Sequence, residues 1–325
     1  MFARMTKTVA ILGGGPAGLS CALWLKQLGI APVVLERSPQ VGGIQRSSHF
    51  VNNYYLGVAG RTGREVAEEF AQHAGAADFR VICNARIESI TKTGDGFTLR
   101  AGGTLIEARA LVVATGQRVR GREAVSAIPA DWAGLSEHVG FDPGQTPLLI
   151  EPVRGKVVTV VGGGDNAMST SVMLGESAAH IFLLARSPLH GFQINLDAVR
   201  GMQQTGRLTL HHPAELKRLE GGGERIRFVF QMPDGASQVA VADYVCFRLG
   251  FTPNTEEVQQ LLTAGELGSL TLTPSGHLLT DSFQRTSIPR IYAAGDVANV
   301  RDACVATAAA QGAIAARSIE EDLAD

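Results

Sequence analysis

The sequence predicts an α/β protein made of two nucleotide-binding domains, each with a parallel sheet. Two copies of a strand, glycine-rich turn, helix and strand carry that prediction. The turns begin at Gly13 and Gly162, about 150 residues apart, which marks a duplicated domain rather than a solenoid. Size is the third observation. A chain of 325 residues, 45% hydrophobic and 18% charged, suits two cores of about 100–200 residues each and excludes a disordered chain.

In the first copy, Thr8–Leu12 is an apolar, β-rich run ending in Gly13-Gly14-Gly15-Pro16-Ala17-Gly18. Residues 17–28 have helical spacing, with Leu19, Ala22, Leu23, Leu25 and Leu28 on or near one face and Gly29 placed to stop the helix. Residues 33–35 form the next buried strand, which ends at Glu36. Gly13, Gly15 and Gly18 make G-x-G-x-x-G: one glycine for a tight turn, one for close approach of a pyrophosphate, one for helix–strand packing. Phosphates then face the N–H groups at the helix start. Glu36 stands where a carboxylate accepts hydrogen bonds from ribose hydroxyls. Strand, glycines, helix, strand and acid in register are a strong signal for a dinucleotide.

The second copy has the strand Val157–Val161, the turn Gly162-Gly163-Gly164-Asp165-Asn166-Ala167, a helical stretch to about residue 177, and a strand at residues 181–184. Gly162, Gly164 and Ala167 make a G-x-G-x-x-A variant. No acid ends the following strand; Arg186 and Ser187 stand there instead. A guanidinium and a hydroxyl suit a 2′-phosphate, which a carboxylate would repel, so the second site is expected to prefer NADPH over NADH.

Residues 86–90 and 97–99, with a turn at 94–96, suggest a small β-meander. Residues 111–116 read as another buried strand, 126–155 as a Pro/Gly-rich loop, 291–296 as a strand, and 303–320 as an alanine-rich helix. The four cysteines, Cys21, Cys83, Cys246 and Cys304, show neither C-x-x-C nor zinc spacing. They are expected to be reduced thiols of a cytoplasmic protein. Residues 1–7 carry no apolar leader, and no apolar run approaches the roughly 18–20 residues of a membrane span. A net charge of -2 gives no sign of nucleic-acid binding. No metal site is expected.

These two turns, with Val113-Ala114-Thr115-Gly116 and Ala293-Ala294-Gly295-Asp296, mark a family. The chain resembles, over nearly its whole length, the low-molecular-weight thioredoxin reductase-like flavoproteins, a group that includes the thioredoxin-reductase-like ferredoxin/flavodoxin–NADP reductases. Val41-Gly42-Gly43, Gly250-Phe251-Thr252-Pro253-Asn254 and Ile288-Pro289 agree with it. The resemblance implies two Rossmann-like, three-layer ββα domains and the cofactors FAD and NADP (NADPH). It implies an FAD domain in two parts, 1–117 and 250–325, around an NAD(P) domain at 118–249, with the crossovers serving as a hinge.

It also implies residue roles. Gly13, Gly15, Pro16 and Ala17 would hold the FAD pyrophosphate, and Glu36, with Arg37 beside it, the adenosine. Gly43 and Gln45 would lie along the flavin or its ribityl chain, and the Ile87 backbone at the adenine edge. Thr115 and Gly116 would sit at the crossover. Gly295 and Asp296 would meet the ribityl chain. Val305 and Ala306 would present N–H groups to the flavin N1/O2 edge, with Asp302 as helix cap. Gly162, Gly164, Asp165, Asn166, Ala167, Arg186 and Ser187 would hold the nicotinamide dinucleotide. A homodimer is implied as well.

One departure is decisive. Thioredoxin reductases carry C-x-x-C shortly before the second turn, whereas residues 137–144 here contain no cysteine. A dithiol relay needs two sulfurs in bonding range, so ordinary thioredoxin reductase activity is not expected. The expected function is hydride transfer from NADPH to flavin, with electrons passed on to a ferredoxin- or flavodoxin-type protein or a small molecule. No catalytic side chain is assigned, because the cofactor carries that chemistry. Arg118, Arg120 and Arg122 are a candidate basic docking patch, and His49, Tyr54, Tyr55 and Phe141 are candidate flavin covers. Two alternatives stay open at this point. The second site can be degraded and hold a second flavin, since the family's basic cluster is reduced to Ala185-Arg186-Ser187; or the chain can be a non-enzymatic flavin-binding protein.

Overall fold

The computed structural model describes residues 7–221 and 225–324, so residues 1–6 of the start expected to carry no apolar leader lie outside the described residues. The chain divides at 118/119 and again at 251/252 into two compact units.

The first unit opens with β1 (Thr8–Leu12), α1 (Pro16–Gln27) and β2 (Ala31–Leu35), followed by α2 (Gly63–Ala76) and β3 (Arg80–Ile82). An antiparallel meander comes next, β4 (Ile87–Thr93), β5 (Gly96–Ala101) and β6 (Thr104–Ala108), then β7 (Ala110–Val113) and the crossing strand β8 (Gln117–Val119).

The second unit contains β9 (Val139–Gly140), the single turn α3 (Thr146–Leu149), β10 (Val157–Val161), α4 (Asp165–Gly175), β11 (His180–Leu184), α5 (Gln193–Gln204) and β12 (Leu208–His211). A second meander, β13 (Glu215–Glu220), β14 (Ile226–Gln231) and β15 (Ser237–Ala242), leads to β16 (Tyr244–Phe247). The chain returns through β17 (Phe251–Pro253) to α6 (Glu256–Ala264), β18 (Ile291–Ala293) and the long α7 (Val305–Asp322).

Each unit has one five-stranded sheet, in order β18-β7-β1-β2-β3 and β9-β16-β10-β11-β12. All pairings inside these sheets are parallel. The two orders match strand for strand, with the glycine-turn strand in the middle of each. This is the three-layer ββα architecture expected from the duplication.

Alternation builds the layers. In β1, Val9 and Ile11 face α1 and α7, while Ala10 and Leu12 face the β4–β6 meander, and all four are buried. A strand covered on both faces reads as a near-continuous apolar run, as residues 9–12 do. The second sheet repeats the arrangement: Val158, Val160, Ile181 and Leu183 pack towards α4 and α5, and Val245 and Phe247 towards the second meander.

Two readings of the chain change. The stretch at 126–155 is not only loop: it carries β9 and α3, and Thr146 and Val153 are buried. The helix α2, not expected from the sequence, starts at a capping box formed by Thr62 and Glu65.

Candidate functional site

The first glycine turn is forced by its surroundings. Gly13 has φ +114, where other residues are strained, and a Cβ there would run into the Ala114 carbonyl oxygen. Gly15 is different: only the Gly43 Cα, at 3.7 Å, comes near the place of its missing side chain, so the turn is open on that side. Gly15 caps α1 without a side-chain hydrogen bond, Pro16 takes the first helical position, and the first turn carries no acid. The helix start therefore offers backbone N–H groups to an anion. Ala17 is buried behind it.

Glu36 is buried and held by two backbone donors. The Gly14 N–H donates to Oε2 and the Ser38 N–H to Oε1, each at 2.7 Å. A carboxylate oxygen has a second lone pair, so Glu36 is fixed in orientation and still able to accept from two ribose hydroxyls. Arg37 is exposed, 3.9 Å from Glu257. Ile87 lines a cavity of about 440 Å³ with Arg86, Glu257 and Gln260.

Gly43 approaches Gly15, and Gln45 Oε1 accepts from Asn52 Nδ2 at 3.3 Å. Thr115 and Asn254 clasp one another: Thr115 Oγ1 donates to the Asn254 carbonyl (2.8 Å) and Asn254 Nδ2 to the Thr115 carbonyl (2.9 Å). Gly116, beside them, has φ +63.

Asp296 carries the clearest mark of a cofactor site. Its Oδ1 is buried with no hydrogen-bond partner among the described residues. Burial pushes the carboxyl up to about 6, and a hydrogen bond from Gln117 opposes the shift. A carboxylate kept in this state in a folded core suits a ligand hydroxyl that donates to it. Gly295 places it: its N–H donates to Gln311 Oε1 at 2.8 Å, and its φ is +82.

The α7 start differs from expectation in its cap. Cys304, not Asp302, is the N-cap, and Thr307 completes a capping box with it. Asp302 is exposed, 3.7 Å from Arg301. Asn299 shapes this loop by accepting from the Arg301 and Asp302 N–H groups, and Asp302 meets the helix end through its carbonyl, which accepts from Thr307 Oγ1 at 2.6 Å, and not through its carboxylate. Val305 and Ala306 are the first two residues of the helix, so their N–H groups have no helical acceptor. An orphaned buried carboxylate oxygen, an open glycine cradle, an oriented Glu36 and a free helix start together fit FAD.

In the second unit, Gly162 has φ +148, and a Cβ there would strike the Arg248 carbonyl oxygen. Gly164 caps α4 without a side-chain hydrogen bond. Asp165 Oδ1 accepts from the Phe192 N–H (2.9 Å) and from Asn195 Nδ2 (2.7 Å), so its charge is tied to the next segment. Asn166 is half-buried and Ala167 fully buried. Arg186 and Ser187 are exposed at the end of β11, and Arg186 contributes to holding the Glu215 carboxyl below its usual range, after Lys217.

The cysteines form no pair. Cys21 and Cys246 are fully buried, and burial raises both thiols, that of Cys246 to about 11. Cys83 is only half-buried, not a closed core residue; burial first and Glu36 second raise its thiol. The arginine patch is also partly spent. Arg118 makes a bidentate pair with Glu256 at 2.9 and 3.0 Å, and Arg120 Nε donates to the Phe251 carbonyl. Phe141 stacks on Phe247 at 5.0 Å, in the core of the second unit, and serves packing. Among the described residues no helix is long and apolar enough to cross a membrane.

Known proteins agree with this geometry. A family profile described as pyridine nucleotide-disulphide oxidoreductase matches residues 7–312. The ferredoxin–NADP reductase of Ignicoccus hospitalis is 26% identical over 306 residues, 94% of each chain. NADPH-dependent thioredoxin reductase 3 of Arabidopsis thaliana is 27% identical over 336 residues, which is 98% of this chain and 59% of that protein. The crystal structure of T. acidophilum thioredoxin reductase shares the fold with a TM-score of 0.82 at 22% identity, over 98% of both chains. The chain belongs to the pyridine nucleotide-disulphide oxidoreductase family, and is an NAD(P)H-dependent flavin oxidoreductase whose cofactors are FAD and a nicotinamide dinucleotide.

Proposed function

We propose that this enzyme takes hydride from NADPH in preference to NADH and passes electrons to a ferredoxin- or flavodoxin-type protein, or another acceptor, without a dithiol relay. The observation that carries this is the set of cysteines: four in all, none spaced as C-x-x-C, with Cys21 and Cys246 buried as unreactive thiols. The similarity to a ferredoxin–NADP reductase along 94% of both chains supports the choice of acceptor class. Arg186 and Ser187, with no acid at that strand end, support NADPH.

When bound, the flavin supplies two-electron uptake and release singly or in pairs. The chain's residues do the rest. The α1 start and Gly15 take the pyrophosphate. Glu36 accepts from the adenosine ribose, and Asp296 from the ribityl chain. Val305 and Ala306, at the start of α7, would offer N–H groups to negative charge on a bound flavin, which a helix N-terminus favours. The domain assignments, 1–117 with 250–325 for FAD and 118–249 for NADPH, belong to the same reading. So do a homodimer, which rests on the family resemblance alone, and a cytoplasmic location, which rests on four cysteines without disulfide or zinc spacing.

The test is anaerobic reduction by NADPH followed by addition of ferredoxin, flavodoxin, a quinone or a disulfide. Reoxidation of the flavin by ferredoxin or flavodoxin at a catalytic rate is expected. Rapid reoxidation by the disulfide alone would overturn the proposal.

A further inference from the structure

The second glycine turn is strapped by the segment that follows β11. The His190 N–H donates to the Gly163 carbonyl at 3.0 Å, and two residues on the Phe192 N–H donates to Asp165 Oδ1 at 2.9 Å. Between these anchors Gly191 has φ +146, and a Cβ there would run into the Asp165 carboxylate. The imidazole is therefore held over the turn. Its Nε2 lies 3.6 Å from the place a Cβ on Gly164 would take. Gly164 is the glycine whose missing side chain lets a pyrophosphate approach the helix start.

The other ring nitrogen determines what Nε2 can do. His190 Nδ1 is 3.3 Å from the Pro188 carbonyl oxygen. A carbonyl only accepts, so Nδ1 carries the hydrogen. In the neutral ring Nε2 is then a lone pair, which repels a phosphate oxygen; in the imidazolium both nitrogens donate. The charged groups on the elements next to the strap are Asp165 on α4, Arg186 after β11, and Asp197 with Arg200 on α5. Asp165 Oδ1 accepts from Phe192 and Asn195, and Asp197 and Arg200 pair with each other at 2.9 Å. Arg186 lies by Glu215 of β13. No carboxylate hydrogen-bonds the imidazole itself among the described contacts.

We propose that His190 is a pyrophosphate-binding residue of the nicotinamide dinucleotide site and takes up a proton when the nucleotide binds. The proposal rests on reading the unit 119–251 as that site. It gives the reduced basic cluster at Ala185-Arg186-Ser187, where Arg186 stands alone, a second basic member supplied by the strap. The sign follows from the geometry: binding favours the imidazolium, so affinity is full at low pH and is lost as pH rises through the histidine range.

The test is isothermal titration of the FAD-loaded protein with NADP⁺ and, separately, NAD⁺, in buffers of different ionisation enthalpy. The flavin spectrum reports that each variant is folded. For the wild type, affinity for both nucleotides is expected to weaken by about tenfold between roughly pH 5.5 and 8, with proton uptake on binding. His190→Gln, which donates from an uncharged amide, should bind at nearly the low-pH strength with a flatter profile and no uptake beyond what the nucleotide itself contributes. His190→Ala should bind weakly at every pH. A flat wild-type profile, or the same profile in wild type and His190→Gln, overturns the assignment and leaves the nucleotide site standing. Failure of the wild type to bind either nucleotide overturns the reading of the unit itself.

Discussion

Two side chains bring charge to the proposed cofactor sites. Asp296 is the first. Its carboxyl is raised from 3.8 to about 6 by burial. Between those values the folded chain binds more protons than the unfolded one, so cofactor-free stability falls as pH rises through that window. Two pH units correspond to roughly 2–3 kcal/mol. Asp296→Asn should therefore raise the stability of the FAD-stripped protein at about pH 7 by roughly 1–3 kcal/mol, with little change near pH 4, and should weaken FAD binding. Thermal unfolding of the stripped protein at both pH values and an FAD titration check this. The second side chain is Arg186, exposed at the β11 end. Arg186→Ala should cost about tenfold, some 1.4 kcal/mol, in NADPH affinity and leave NADH unchanged. An equal loss for both would remove the 2′-phosphate role.

At the scale of elements, α1 and α7 pack closely in the first unit. A Cβ on Gly312 would run into the Ala17 carbonyl oxygen and come within 2.9 Å of the Cys21 nitrogen. Ala17 follows the turn directly, so the two helices meet where the pyrophosphate is expected. Replacing an interior helical glycine by alanine ordinarily gains about 1 kcal/mol. Gly312→Ala should instead lose about 1–3 kcal/mol by forcing the helices apart, and should loosen FAD. Gly201→Ala, in α5 with nothing within 4 Å, should gain about 0.5–1 kcal/mol. Chemical denaturation of the two variants distinguishes a packing glycine from an idle one by sign. Elements were legible in the sequence where one physical signal dominated. β1, β2, β10 and β11 are predominantly apolar on both faces, and Gly13 and Gly162 are turn positions that a side chain would block. The cap of α7 was misread because Asp is the stronger N-cap type by propensity, while Asn299 claims the Asp302 backbone and moves the cap to Cys304. The strap at 187–192 had no periodicity to betray it, since its order comes from two backbone hydrogen bonds to the turn.

For the whole molecule, the duplicated architecture followed from two turns in the right order, because each unit repeats one strand order around one turn strand. The second meander, β13–β15, was missed; its alternation is weakened by the exposed Ser237, Gln238 and Val239. The arginine cluster after the crossover looked free in sequence, but Arg118 is matched by Glu256 from a segment 138 residues away. Long-range pairing of this kind leaves no local trace. What the sequence states most clearly about the whole enzyme is the missing dithiol, and one measurement tests it most directly. In an anaerobic titration with NADPH, the flavin should bleach fully after about one NADPH, or two electrons, per FAD, because no dithiol shares the charge. Uptake of about four electrons per FAD, or no bleaching by either NADPH or NADH, would contradict the account.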